Sequence, residues 1–366
     1  MIRKDSVDRP FLFISIMLVV AGFLIYVSAS LGLLVRDGAR FGDVVLNQVL
    51  FGIVIGVIFA YCASRIPPSY WKRASPYIFI TSIIITLLVF VPGIGFEHGG
   101  AKRWIDLKFI TFQPSEFLKI GFVIYFAAWL SSVKDRIQTF RFGILPMTII
   151  LVIAGAILLA EPDTATFGVI FVTVCAMFIA GHGKIKHIVT LFIIGLCLLA
   201  LLAYARPYVK DRLHTFINPS ADPQGSGYQI KQSTIAIGSG GIFGKGFGQS
   251  IQKVNYLPEP TGDSIFAVAA EEFGFVGASI LIVLFLAFGA RGLSIAARAS
   301  DSFSGLLTVG IVILIISQSF MNMASMLGLI PLSGLPLVFV SHGGTAMMFA
   351  IIEVGIILGV SRKAKW

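Results

Sequence analysis

Residues 11–34 read FLFISIMLVVAGFLIYVSASLGLL, an apolar run with no charged residue and no small-residue cleavage pattern at its end. About 20 helical residues cross the hydrocarbon of a bilayer and a signal-peptide core is shorter, so the run predicts a first span that is retained. Met1–Pro10 ahead of it is polar and basic. The pattern returns along the chain and predicts ten spans, at 11–34, 44–64, 77–93, 115–132, 143–160, 164–180, 187–205, 264–290, 304–328 and 336–360. Each is expected to be helical, because a segment in hydrocarbon must satisfy its backbone hydrogen bonds internally. The expected fold is an all-α polytopic membrane protein, a single integral membrane domain over residues 1–366.

Composition supports this reading. Hydrophobic residues make up 57% of the 366 and charged residues 13%, which excludes a disordered chain and leaves a soluble fold no interior large enough. The net charge of +10 does not point to nucleic acid, since Lys and Arg lie in short connections rather than on one basic face. Phospholipid headgroups and anionic lipid substrates are the expected partners. Cys62, Cys175 and Cys197 lie apart in apolar runs and read as buried thiols. The five His residues show no paired metal spacing.

Orientation follows from alternate connections. One side carries 16 Lys and Arg residues, among them Arg65, Lys72, Arg73, Arg291 and Arg298, and the short connections opposite carry 5, including Lys102, Arg103 and Lys108. The positive side is cytoplasmic, so both termini are predicted there. The long connection 206–262 between spans seven and eight is then a large extracytoplasmic loop, rich in Gly, Pro, Ser and Gln. A second outer loop, Pro92–Pro114, is shorter and polar.

Ionisable groups in or beside spans are costly, which makes them the place to look for chemistry. Glu116 and Lys119 lie three apart, on one helix face near a Pro114-Ser115 start, as an ion pair or a ligand site. Glu161-Pro162-Asp163 forms a tight outer turn whose acids fit helix capping. Glu353 sits within the last span and needs a partner or cavity. The run Gly238–Gly248, which contains Lys245, fails both phosphate-loop spacings and reads as a flexible, turn-rich loop. Asp263 opens span eight. Local sequence favours capping there, with a proton-accepting carboxylate at the outer face as the functional alternative.

Five motifs occur in a characteristic order: Gly100–Ile105, Gln113–Lys119, the stretch from Asn218-Pro219 to Gly241, Leu257-Pro258-Glu259 with Asp263, and Pro336 with Ser341–Gly344. In this the chain resembles the SEDS family of polytopic peptidoglycan glycosyltransferases, over nearly its whole length. The run Gly248–Lys253 leading into Tyr256–Glu259 is more similar to division-type than to elongation-type members. The chain departs from the family pattern at Glu161-Pro162-Asp163, where Gln-Pro-Asp is common, and at Thr261-Gly262-Asp263-Ser264, where His-Thr-Asp-Phe is common.

The resemblance implies an inverting transfer that polymerises lipid II at the outer membrane face. An acceptor sugar hydroxyl attacks the anomeric carbon of a donor carried on undecaprenyl diphosphate. It assigns Asp263 as the base, with Lys102, Arg103, Glu116, Lys119, Gln229, Lys245 and Ser341 as substrate-binding residues. No cofactor is assigned and a divalent cation such as Mg2+ is left open, its ligands unknown. The implied partners are the growing glycan strand, membrane lipids, a monofunctional penicillin-binding transpeptidase and septal regulatory proteins, at the division septum of a bacterial cytoplasmic membrane. A lipid II flippase and a non-catalytic scaffold of a cell-wall synthase are the rival classes.

Overall fold

The computed structural model describes residues 6–364 except 38–39, 99–100, 107–110, 206, 220–221 and 223–224; Gly100, Lys108 and Arg206, used above, lie outside the described residues. The chain runs as α1 (Arg9–Asp37), α2 (Val44–Arg65), α3 (Pro68–Phe90), a sheet of β1 (Gly95–His98), β2 (Ala101–Asp106) and β3 (Thr111–Phe112), then α4 (Pro114–Val133), α5 (Phe140–Ala160), α6 (Thr164–Ala180), α7 (Ile185–Ala205), α8 (Pro207–Ile217), α9 (Ser226–Ser239), α10 (Ile265–Ala297), α11 (Ser302–Met326) and α12 (Gly344–Ser361). Among the described residues, eight of these helices are long and apolar enough to cross a membrane: α1 to α5 and α10 to α12. Two shorter apolar helices, Thr164–Ala180 and Ile185–Cys197, fall where the sixth and seventh spans are expected.

At the centre is α11, which packs against α10, α6 and α4. It buries Gln318, Ser319, Asn322 and Ser325 among its apolar side chains. α12 lies along α2, and the chain ends meet: the Asp8 backbone N–H donates to Ser361 Oγ at 3.0 Å, and Arg291 of α10 grips the Asp8 carboxylate at 2.7 Å. Both described ends of the chain are therefore at one end of the bundle.

Four features depart from the sequence reading. The loop before α4 holds a small antiparallel sheet, with Gly95 opposite Ile105 and Ile105 opposite Phe112, so the fold is not purely helical. Span two is not uniform, since residues 48–54 widen into π-helical turns before regular helix resumes at Ile55.

The long connection is ordered by α8, α9 and a short turn at Gln252–Asn255, and its glycine run docks on α10. Residue Gly274 of α10 has φ 64° and breaks the helical hydrogen-bond ladder. The Glu271 and Glu272 carbonyls accept from the N–H groups of Lys245 and Gly246, while the Phe275 and Val276 N–H groups donate to the carbonyls of Gly241 and Ile242. The run thus serves as a built-in cap for a kinked helix.

The last span begins at Gly344, not at 336. Residues 336–343 are not helical, residues 337–341 are buried, and Phe339 has φ 67°. Hydropathy recognises their burial but not their conformation. Irregular backbone in a membrane protein survives only when the protein itself supplies its hydrogen bonds. Here Asn322 and Gln318 donate to the carbonyls of Leu335 and Pro336 at 2.7 and 3.1 Å, and Gln48 bonds both the Ser341 carbonyl and the Gly343 N–H at 3.2 Å. A side chain at Gly22 of α1 would place its Cβ 2.1 Å from the Phe339 carbonyl oxygen, so α1 can approach this segment only through glycine.

Candidate active site

Asp263 lies at the mouth of α10, but it does not cap that helix. The residue at the cap position is Ser264, with φ −86°, and the Asp263 carboxylate bonds to no N–H of the first turn. Its Oδ1 accepts instead from Gln229 Nε2 of α9 at 3.1 Å, and the same amide donates to Ser264 Oγ at 2.9 Å. The capping explanation fails, leaving a carboxylate without a helix-terminating role.

The loop under it is held from three sides. Asn322 Nδ2 donates to the Asp263 carbonyl at 2.7 Å, Ser341 Oγ to the Gly262 carbonyl at 2.7 Å, and the His342 N–H to the Thr261 carbonyl at 2.6 Å. Ser341 and Gln229, both expected from the sequence, are thus brought to Asp263 as its supports. The side chain is half-buried. Burial lifts its pKa from 3.8 to about 6, the Gln229 hydrogen bond and the Arg212 guanidinium opposing, and Glu259 adding to the rise. His342 opens to solvent on one edge yet is closely surrounded, and desolvation holds its imidazole below the ordinary value against the pull of Glu259. Its Nδ1 meets Tyr26 Oη at 2.9 Å.

Arg212, on α8, is the cation that this arrangement brings toward Asp263. An arginine inside YVKDRLHTF, beside Lys210, carries no local signal that separates it from a solvated charge. The cations expected from the sequence are engaged with other partners or exposed. Arg103 Nε donates to the Glu161 carbonyl at 2.9 Å and its Nη2 to the Pro162 carbonyl, which rivets the sheet to the α5–α6 turn. Lys102 is exposed on β2. Lys245 pairs with Glu271 at 2.7 Å, next to a second pair, Lys253 with Glu272 at 2.6 Å, whose side chains are almost fully buried. Ser28 Oγ donates to Glu272 at 2.5 Å and Ser250 Oγ to Glu271 at 2.5 Å, so the cluster clamps α1, the glycine run and the kink of α10 together.

Glu116 and Lys119 do pair, at 2.8 Å, and Lys119 Nζ also donates to Gln318 Oε1 at 2.5 Å. With Glu353 they line an enclosed cavity of about 20 Å3 between α4, α11 and α12, room for about one water. Gln318 and Asn322 are one turn apart on α11, so one helix face links this charged cavity to the loop bearing Asp263. Polar residues inside a span were the available signal for Gln318 and Asn322.

At the α5–α6 turn, Asp163 caps α6 as expected, accepting from the Thr166 N–H at 3.1 Å. Glu161 is different. It is buried, both carboxyl oxygens lack a hydrogen-bond partner among the described residues, and burial with the nearby Asp163 charge raises its pKa to about 8 despite Arg103.

Among the described residues no three His, Cys, Asp or Glu side chains converge to hold a metal. Glu259 is close enough to Asp263 to raise its pKa, and two carboxylates form a donor set that suits a Mg2+ keeping most of its own ligands better than an ion caged by protein.

The spans, the irregular segments held by side chains of α11, and one supported carboxylate at a helix mouth define a polytopic membrane protein with a candidate site at one end of its bundle. The chain belongs to the cell cycle protein family that groups FtsW, RodA and SpoVE, whose model matches residues 9–366. It is 36% identical to stage V sporulation protein E of Bacillus subtilis (strain 168) over 100% of this chain and 99% of that one. It is 35% identical to the probable peptidoglycan glycosyltransferase FtsW of Geobacter sp. (strain M18), covering 99% of each. Among solved structures it superposes with a TM-score of 0.80 and 25% identity, over 98% of both chains, on a chain from work on the structural coordination of polymerization and crosslinking by a peptidoglycan synthase complex. The rod shape determining protein RodA of Thermus thermophilus shares the fold, with a TM-score of 0.72 at 22% identity over 99% of this chain and 98% of that one.

Proposed function

We propose that this protein is a peptidoglycan glycosyltransferase that polymerises lipid II at the outer face of the bacterial cytoplasmic membrane, in septal wall synthesis during cell division. The observation that carries the reading is Asp263: a half-buried carboxylate that caps nothing, with the loop bearing it held by Asn322, Ser341 and His342. Its pKa near 6 leaves it mostly ionised at neutral pH, yet basic enough to draw a proton from a sugar hydroxyl.

The acceptor 4-hydroxyl attacks the donor anomeric carbon and gives its proton to Asp263, while the bond to the diphosphate oxygen breaks with inversion. Diphosphate departs without needing an acid, so one carboxylate serves where glycosidases use two. Arg212 is the cation best situated to neutralise the departing charge, because it already acts electrostatically on Asp263. Lys119 keeps its place through Gln318, in support of the same loop. Asp263 and Glu259 are the residues that would hold a divalent cation, which would supply further neutralisation of the diphosphate charge. The end where both termini meet is the cytoplasmic one, consistent with its excess of Lys and Arg. A monofunctional penicillin-binding transpeptidase is the partner that would crosslink the product, and septal regulators would govern the pair.

The test is polymerisation of lipid II by the purified protein, with and without the transpeptidase. Glycan polymer is expected from the wild type and none from Asp263→Asn. Lipid movement across a bilayer without polymer would favour a transporter, and neither activity would favour a scaffold.

A further inference from the structure

At the end of the bundle opposite Asp263, the turn between α2 and α3 encloses an open groove of about 450 Å3, lined by Arg65, Ile66, Pro67, Tyr70, Trp71 and Ile78. Its walls are apolar and its one charged lining residue stands at the rim. Arg65 is folded back over α2, with Nη2 donating to Tyr61 Oη at 2.9 Å and the guanidinium carbon 4.9 Å from that ring centroid. The guanidinium is thereby fixed above the groove with donors to spare, since it has five N–H groups. Tyr61, Tyr70, Lys72 and Arg73 are all exposed beside it.

The surrounding charge has one sign. No Asp or Glu occurs between residues 44 and 96, and none after Glu353. The end of α12 packs on the end of α2, where a Cβ at Gly359 would be 3.1 Å from the Ser64 carbonyl oxygen, so Arg362 and Lys363 add positive charge at the same end of the bundle. An apolar groove overlooked by cations and edged by Tyr and Trp is complementary to a molecule with hydrocarbon at one end and a negative headgroup at the other.

We propose that this groove is a binding site for an anionic phospholipid of the cytoplasmic leaflet, with an acyl chain along Ile66, Trp71 and Ile78 and the phosphate against Arg65, Lys72 and Arg73. The inference takes from the functional reading only which side is cytoplasmic, and its test involves no polymerisation. Full-length protein in phosphatidylcholine nanodiscs is doped with equal amounts of photoactivatable phosphatidylglycerol or photoactivatable phosphatidylcholine, crosslinked, and mapped by peptide mass spectrometry.

Residues 65–78 are expected to be labelled about fivefold or more by the phosphatidylglycerol probe relative to the phosphatidylcholine probe, about the effect of one cation near an anionic surface. In the triple variant Arg65→Gln, Lys72→Gln, Arg73→Gln the ratio should fall to about one. Equal labelling of the wild type, a comparison that needs no variant, would overturn the proposal by making the groove ordinary lipid-facing surface. A preference that survives the triple substitution would overturn it too. If undecaprenyl phosphate displaces the probe at lower mole fraction than unlabelled phosphatidylglycerol, the groove belongs to a carrier lipid instead and the phospholipid assignment is wrong.

Discussion

Asp263→Asn should make the protein more stable and inactive at once. Burial raises this carboxyl from 3.8 to about 6, which corresponds to a penalty of roughly 3 kcal/mol for ionising it in the folded protein. The sign follows from proton counting. The unfolded chain releases the proton near pH 3.8 and the folded chain keeps it to about 6, so stability falls as pH rises across that window and stays low above it. Asparagine keeps an Oδ1 acceptor for Gln229 Nε2 and carries no charge. At pH 7.5 the variant should therefore gain up to about 3 kcal/mol, seen as a melting temperature several degrees higher in detergent, and the gain should vanish below pH 4. Loss of the base should cost polymerisation 10²-fold or more. A variant that melts lower than wild type at pH 7.5, or that still makes polymer, would refute the reasoning.

Glu161→Gln should stabilise by roughly 5 kcal/mol above pH 8 and by little near pH 4.5, because the folded chain holds that proton to about pH 8 while the unfolded chain loses it near 4.5; thermal melts from pH 4.5 to 9 check the slope. Lys253→Met, which strands Glu272 at 1% exposure, should cost about 3–5 kcal/mol, and adding Glu272→Leu should recover most of it. Gly274→Ala should be worse tolerated than any exposed substitution on α10, since its Cβ would lie 2.3 Å from the Gly244 nitrogen at φ 64°; the readout is yield of monodisperse protein.

The spans were legible because hydropathy and length report burial in a bilayer directly. Conformation within a buried stretch was not: Leu335–Val340 is as apolar as a helix, and the irregular backbone of 335–343 is made tenable by Gln318, Asn322 and Gln48, distant in sequence. The same holds for the glycine run, which looked loose until its N–H groups were found on the carbonyls freed at Gly274. At the site, Asp263, Gln229 and Ser341 were recoverable from ordered motifs. The choice between cap and free carboxylate was not, because Ser264 rather than Asp263 takes the cap position and a one-residue offset is below what local sequence resolves. Arg103 and Arg212 carry the same charge; their different surroundings come from which backbone carbonyls or carboxylates the fold sets beside them.

The most direct test of Asp263 as the base is the pH dependence of kcat/KM for lipid II polymerisation by the wild-type protein between pH 5 and 8. The account predicts that the rate rises about tenfold per pH unit at the acid end, bends near pH 6 and levels above 7. A rate that is flat across that range, or that falls as pH rises through 6, would contradict it.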